Sequence, residues 1–333
     1  MPRRQQNEWY DDLMDEFREG RDRQADAFSS PAPADPPRKT AAKKKKKTRM
    51  DPVSRFILTL SVIVFIGSGG FLLYKYFGEP ILEQMSLASY KNDYDGKSTN
   101  TAENGKWEAD KEEAEPRLSN GMLASFENIV SQNNDVVGWI TIPGTQIDYP
   151  VVQTKNNSFY LNHNINKDEN ASGCPFMDYR DVVGMDTLSP CTLIYGHHRR
   201  NGTMFATLKN YNDLDFFKQN PVMRFDTVYN RYEWVIFANF RATASSATGV
   251  PFNYIRTQFK DDEAYAQFIE DIRVRSLIDV PVEVTTDDHI LLLSTCSYEK
   301  ANWRMIIAAR LVRKGETNID VSGAKFAAHP LMP

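Results

Sequence analysis

Cysteine and histidine are scarce in this chain, three and five in 333 residues. An odd number of cysteines cannot all pair within one molecule, so at least one thiol is expected to be free. No acidic or cysteine residue stands at finger-like spacing to His197 and His198. A zinc site needs three or four ligands, so the reading carries no metal and no cofactor. No internal repeat is present. Charge is absent from Phe56 to Leu73, a run about long enough to cross a ~30 Å hydrocarbon core, and a transmembrane helix is expected over 55–77. The run is too long, and begins too far from the N-terminus, for a cleaved signal peptide. Residues 1–50 lack a continuous apolar pattern and crowd Pro31, Pro33, Pro36 and Pro37 among charges. Such a composition cannot offset its ordering entropy, and 1–54 is read as a largely disordered tail. Trp9, Tyr10, Leu13, Met14 and Phe17 would give a short amphipathic helix over 8–19 within it.

What is present gives the chain a direction. Lys43 to Lys47, Arg49 and Arg55 precede the apolar run, whereas Lys75, then Glu79 and Glu83, follow it. Basic asymmetry keeps the N-terminus in the cytoplasm and sends everything after about residue 77 outward, as a single-pass membrane protein. The lysine run would also meet anionic headgroups of the lipid bilayer. The net charge of −4 averages this basic patch with an acidic remainder, and the outward part carries no nucleic-acid footprint. Residues 78–117 are polar and aperiodic and read as a stalk, followed by a globular domain over 118–316 and a C-terminal tail over 317–333.

Within that domain Met122, Phe126, Ile129 and Val130 recur at helical spacing, predicting a helix over 120–133. The period then shortens. Trp139 to Ile142, Ile147 to Val152, Thr192 to Tyr195, Tyr232 to Phe237, Val282 to Val284, His289 to Leu293 and Met305 to Val312 are short β-branched or aromatic runs between turn residues. Many such strands predict a mostly β sandwich or barrel. Tyr265, Phe268, Ile269 and Ile272 stand at i, i+3, i+4 and i+7, which inserts an amphipathic helix at about 258–275.

The chemistry concentrates at His289 to Arg304. An apolar strand ends in Ser294-Thr295-Cys296, and Arg304 follows eight positions later. A thiolate nucleophile needs nearby positive charge and partial exposure, and histidine is its usual base. His329 lies in the tail, His289 at the far end of the strand and His163 in an Asn-rich loop. His197 and His198 follow a strand through Gly196, where either is free to point over a cleft. Arg304 offers five donors and a permanent charge suited to an oxyanion. Cys174 and Cys191 flank a loop, and a disulfide between them would leave Cys296 alone.

The Leu-Ser-Thr-Cys strand with its arginine, Tyr195-Gly196-His197 followed by Gly202-Thr203-Met204-Phe205, and Val137-Gly138-Trp139-Ile140 through Gln153 resemble a sortase. The Cys-Ser-Tyr-Glu spacing before the arginine and the two helices resemble class B in particular, over roughly 120–314. Leu292 stands where the family usually has threonine. The resemblance implies a closed β-barrel with an N-terminal helix and an inserted helix, and a membrane-anchored cysteine transpeptidase. Cys296 would attack a C-terminal sorting signal of secreted proteins, with His197 rather than His198 as acid and base and Arg304 on the oxyanion. A peptidoglycan cross-bridge or pilin amine would resolve the thioester, and Ser294, Thr295, Tyr298 and Glu299 would lie along the substrate groove. The rival readings are a membrane-tethered cysteine peptidase that uses water and a non-catalytic envelope domain that binds peptide.

Overall fold

The computed structural model describes residues 51–78, 87–92, 94, 102–109, 115–243, 246–247, 249–296, 299 and 302–333. The expected tail up to residue 50, its 8–19 helix and Tyr298 lie outside the described residues. Helix α1, Pro52–Leu73, has no buried residue and a mean hydropathy of 2.3. It starts where the sequence dictates. The Asp51 side chain accepts a hydrogen bond from Ser54 N at 3.2 Å, and Pro52 fills the first helical position, where no N–H is required. Its 22 residues span about 33 Å, enough for one crossing of a bilayer.

Eight strands form a closed barrel. In chain order these are β2 (Val136–Thr141), β3 (Asp148–Val152), β4 (Phe176–Met177), β5 (Cys191–Tyr195), β6 (Val222–Thr227), β7 (Glu233–Thr243), β9 (Ile290–Cys296) and β10 (Trp303–Leu311). Around the barrel they run β10-β7-β6-β2-β3-β4-β5-β9. Most ladders are antiparallel; β3 and β4 run parallel, and so do β5 and β9. The connection between them holds β6, β7 and helices α3 (Leu214–Gln219) and α4 (Asp262–Arg273). Ile290 to Leu293 are buried without alternation, as expected of a strand covered on both faces.

Helix α4 is shorter than the expected 258–275. Asp261 caps it, its side chain accepting from Ala264 N at 2.9 Å, which fixes the first turn. Tyr265, Phe268, Ile269 and Ile272 are all buried, as the spacing predicted. Phe268 stacks between Phe252 and Phe259, at 6.0 and 5.0 Å between ring centroids. Phe268→Ala is expected to cost about 3–5 kcal/mol through the cavity it leaves, read as a lower melting temperature; an unchanged one would mean the face is not packed.

Several expectations need correction. The 120–133 helix begins later than expected, as a 3₁₀ turn, Ala124–Phe126, that runs directly into helix α2, Glu127–Gln132; Asn120 Oδ1 accepts from Met122 N at 3.0 Å and holds the chain before it in a turn. Val282 to Val284 form no strand; the short strand nearby is β8, Ile278–Asp279. The segment expected as a stalk over 78–117 is not bare where it is described. Trp107 is buried, and β1, Lys106–Glu108, pairs with β11, Asn318–Asp320, in the expected tail. Tyr94 stacks on Trp139 at 4.5 Å and donates to buried Asp226. Isolated aromatics filling single barrel pockets leave no period for a sequence pattern to register. No disulfide joins Cys174 and Cys191. Phe176 pairs with Tyr195, so Cys174 lies beyond the Tyr195 end of β5 and Cys191 at the other end, about 13 Å away along a strand. Disulfides need Cα atoms within about 7 Å.

Candidate active site

Register brings the three expected residues together. Arg304 stands directly across the β9–β10 ladder from Cys296, so the eight-residue spacing is that of one hairpin. On the other side of β9, Tyr195 pairs with Ser294 in parallel register. Cys296 and His197 each lie two residues past that pair, at the same end of the barrel. Gly196 N extends the ladder by donating to Ser294 O at 3.1 Å. A Cβ on Gly196 would lie 2.6 Å from the Phe205 ring, so the chain can cross that buried ring only as glycine. Phe205 N then donates to His197 O at 2.9 Å and fixes the histidine backbone.

The two histidines do different work. His197 Nε2 lies 2.7 Å from Leu161 O. A carbonyl only accepts, so Nε2 carries the proton and the neutral ring keeps Nδ1 as its basic atom. His198 Nδ1 lies 3.0 Å from Cys296 O and donates to it, pinning the backbone of the nucleophile. Burial lowers the His198 pKa against the opposing effect of that bond, and a neutral ring with its proton on Nδ1 still donates it. Arg304 Nη1 donates to Trp303 O at 3.2 Å, the one hydrogen bond of this guanidinium among the described residues.

Cys296, His197 and Arg304 line one cleft of about 380 Å³ with Tyr195, Ser294, Thr295, Asn157, Leu161, Tyr254 and Ile255. Its walls come from the β3–β4 and β7–α4 segments. Tyr254 Oη and Ser294 Oγ share a hydrogen bond of 2.9 Å, and burial raises the Tyr254 pKa. Thr295 Oγ1 is buried with no partner among the described residues. Glu299 does not line the cleft. Its carboxylate grips buried Arg241, with Arg241 Nε donating at 3.0 and 2.9 Å, and so ties the β9–β10 loop to β7. No group of three metal-ligating side chains is gathered among the described residues.

Sequence reasoning did not find Asn157, Leu161, Tyr254 or Ile255. Leu161 acts through its carbonyl, which no side-chain pattern announces. Nor did it find buried Asp178 beneath the cleft. That carboxylate accepts from Tyr195 Oη at 2.9 Å, Asn157 Nδ2 at 2.8 Å and Arg180 Nε at 2.8 Å. Burial pushes its pKa up, but the bonds from Arg180, Tyr195 and Asn157 prevail and hold it at about 2.

Neighbouring Asp181 behaves oppositely. Its Oδ2 accepts from Leu193 N at 2.8 Å, Oδ1 has no partner among the described residues, and burial raises its pKa to about 7. An unfolded aspartate titrates near 3.9. Between those values the folded state keeps a proton that the unfolded state has released, so this group lowers stability as pH rises from about 4 to 7. Asp181→Asn removes that slope. The melting temperature of the variant relative to the parent is expected to be higher at pH 8 than at pH 4.5; equal differences would show that Asp181 stays ionised.

A match to the sortase domain family covers residues 140–312. The chain is 35% identical to Sortase B of Staphylococcus aureus (strain NCTC 8325 / PS 47) over 190 residues, 56% of this chain and 75% of that protein. It is similar to the solved S. aureus sortase B-substrate complex, with TM-score 0.52 and 34% identity over 57% of this chain and 85% of that one. A structure of sortase B complexed with triglycine gives TM-score 0.52 and 34% identity, covering 57% of this chain and 86% of that one.

Proposed function

The chain belongs to the sortase B family of cysteine transpeptidases, and from that premise we propose how its own residues carry the reaction. The Cys296 thiol gives its proton to His197 Nδ1, and the thiolate attacks the carbonyl of a sorting signal near the C-terminus of a secreted protein. The tetrahedral oxyanion takes hydrogen bonds from Arg304, across the ladder from the nucleophile. The C–N bond breaks as His197 gives a proton to the leaving amine, and a thioester remains on Cys296. An incoming amine loses its proton to His197, attacks the thioester and restores the thiolate as the new peptide bond forms. The observation that carries this reading is the shared cleft, with Cys296 between Arg304 on one neighbouring strand and His197 beyond the other.

The relative solved with a substrate supports a sorting peptide in this cleft, and the one solved with triglycine supports a glycine amine, as in a peptidoglycan cross-bridge, over a pilin lysine. One apolar helix, α1, is suited to a single membrane anchor, and the family implies an envelope location. The lysine run before α1 supports a cytoplasmic N-terminus and an outward catalytic domain. Anchorage raises the effective concentration of a likewise anchored substrate.

Incubating the protein with a sorting peptide and triglycine, followed by mass spectrometry, tests the acceptor. The joined product is expected, and hydrolysed peptide alone would favour the peptidase reading. His197→Ala should lower the rate by ~10²- to 10⁴-fold, the usual worth of general acid–base catalysis. His198→Ala should cost far less, since it removes one hydrogen bond to a backbone carbonyl. Equal losses in kcat/KM would reassign the base.

A further inference from the structure

The His197 ring makes one hydrogen bond among the described residues, from Nε2 to Leu161 O at 2.7 Å. Whatever fixes that carbonyl therefore decides which ring nitrogen keeps the proton. Leu161 follows buried Tyr160, whose Oη donates to Asp135 Oδ2 at 2.9 Å and accepts from Asn133 Nδ2 at 2.9 Å. The returning chain lies alongside. Asn170 N donates to Asn162 O at 2.8 Å, and Cys174 N donates to Tyr160 O at 3.0 Å. Arg199, just past the histidine pair, ties down the same stretch by donating from Nη1 to Ala171 O at 2.9 Å.

Gly173 sits inside this contact. It lies behind the cleft, in a small crevice shared with Leu87, Pro175 and Met204. A Cβ there would stand 2.5 Å from Tyr160 O, 2.9 Å from Leu161 O and 3.1 Å from His197 Cδ2, all inside the ~3.5–4.0 Å of an ordinary van der Waals contact. Its φ of +63° is one that glycine adopts without strain. The Tyr160 carbonyl cannot retreat, because the amide of the very next residue, Cys174, holds it. Leu161 is exposed and the His197 ring only half-buried, so a side chain at 173 would force apart the bond between those two.

We infer that Gly173 is a positioning residue for the base: its missing side chain leaves the slot in which the His197 ring meets Leu161 O, and so holds the neutral ring as the single tautomer with Nδ1 unprotonated. This rests on His197 being the base of the proposed reaction.

Two variants of the full chain in detergent micelles, labelled with nitrogen-15 at histidine alone, test the slot. Gly173→Ala adds a Cβ and also strains the backbone. Gly173→Asn adds the same Cβ in a residue that tolerates positive φ, and it decides alone if the alanine variant does not fold. Spectra are recorded at a pH where the rings are neutral, and His197 is assigned from His197→Gln. In the parent the two ring nitrogens should lie far apart, one protonated and one bare. In both variants they should draw together as the ring loses its acceptor and samples both tautomers, while those of His289 and His329 hold. Single-turnover acylation should fall about 10²-fold, the cost of a ~1 Å misplacement, with KM nearly unchanged. Unmoved ring nitrogens in a folded variant would overturn the slot, and so would a parent ring already averaged between tautomers. A shift in Gly173→Ala alone would overturn it too, because backbone strain rather than the added Cβ would be the cause. Shifted nitrogens with an unchanged acylation rate would leave the slot standing and count instead against His197 as the base.

Discussion

Cys296→Ala is expected to abolish thioester formation and transpeptidation while leaving the melting temperature nearly unchanged. The two effects separate because of where the residue stands. Cys296 is the last position of β9 and is only half-buried, so removing its sulfur opens no cavity in the packed interior. Its backbone keeps the register opposite Arg304 and the hydrogen bond from His198, neither of which involves the thiol. The chemistry, by contrast, has no substitute. Cys174 also lines the cleft but is buried, with its Sγ 3.9 Å from Pro150 O, and burial of a thiol in apolar surroundings disfavours the thiolate. Intact-mass measurement after mixing with a sorting peptide decides the matter. A persistent adduct in Cys296→Ala would move the nucleophile elsewhere.

The parts of this site that a sequence reader can see are those whose signal is local. Cys296 and Arg304 belong to one hairpin, so their spacing already encodes their register, and the apolar run from Ile290 to Leu293 announces the strand that carries them. His197 is legible once a glycine after a strand is recognised as a place where the chain turns over a cleft. Tyr254 is different. It reaches Ser294 across 40 residues from a segment with neither helical nor alternating period, and nothing near it in the chain foretells that contact. The same holds for Tyr94 and Trp107. Each is a lone aromatic in a polar stretch that reads as linker, and its burial depends on a barrel surface formed more than 30 residues later. Glu299 shows the opposite error. Three residues from the nucleophile it looks like part of the groove, yet the buried guanidinium of Arg241 draws it to β7, a partner distant in sequence.

Arg304 allows charge and geometry to be tested apart. The guanidinium is planar and permanently charged, with five donors in a rigid fork, whereas lysine offers the same charge as a compact ammonium on a flexible stem. Arg304 stands across the ladder from Cys296, and one of its nitrogens is already committed to Trp303 O. That bond orients the plane of the fork and leaves the remaining donors for an oxyanion and a substrate backbone. If this orientation is what the reaction uses, Arg304→Lys loses nearly as much acylation rate as Arg304→Ala, by more than ~10²-fold if the loss resembles removal of an oxyanion donor elsewhere. A purely electrostatic role predicts otherwise. Lysine would then keep the field that favours the thiolate, and most of the rate would survive at neutral pH. Single-turnover acylation of both variants across pH separates the two, because a charge effect shifts the pH at which acylation rises, whereas a lost donor lowers the plateau and leaves that pH in place. Near-parental acylation by the lysine variant would overturn the oxyanion role and leave Arg304 as a source of charge alone.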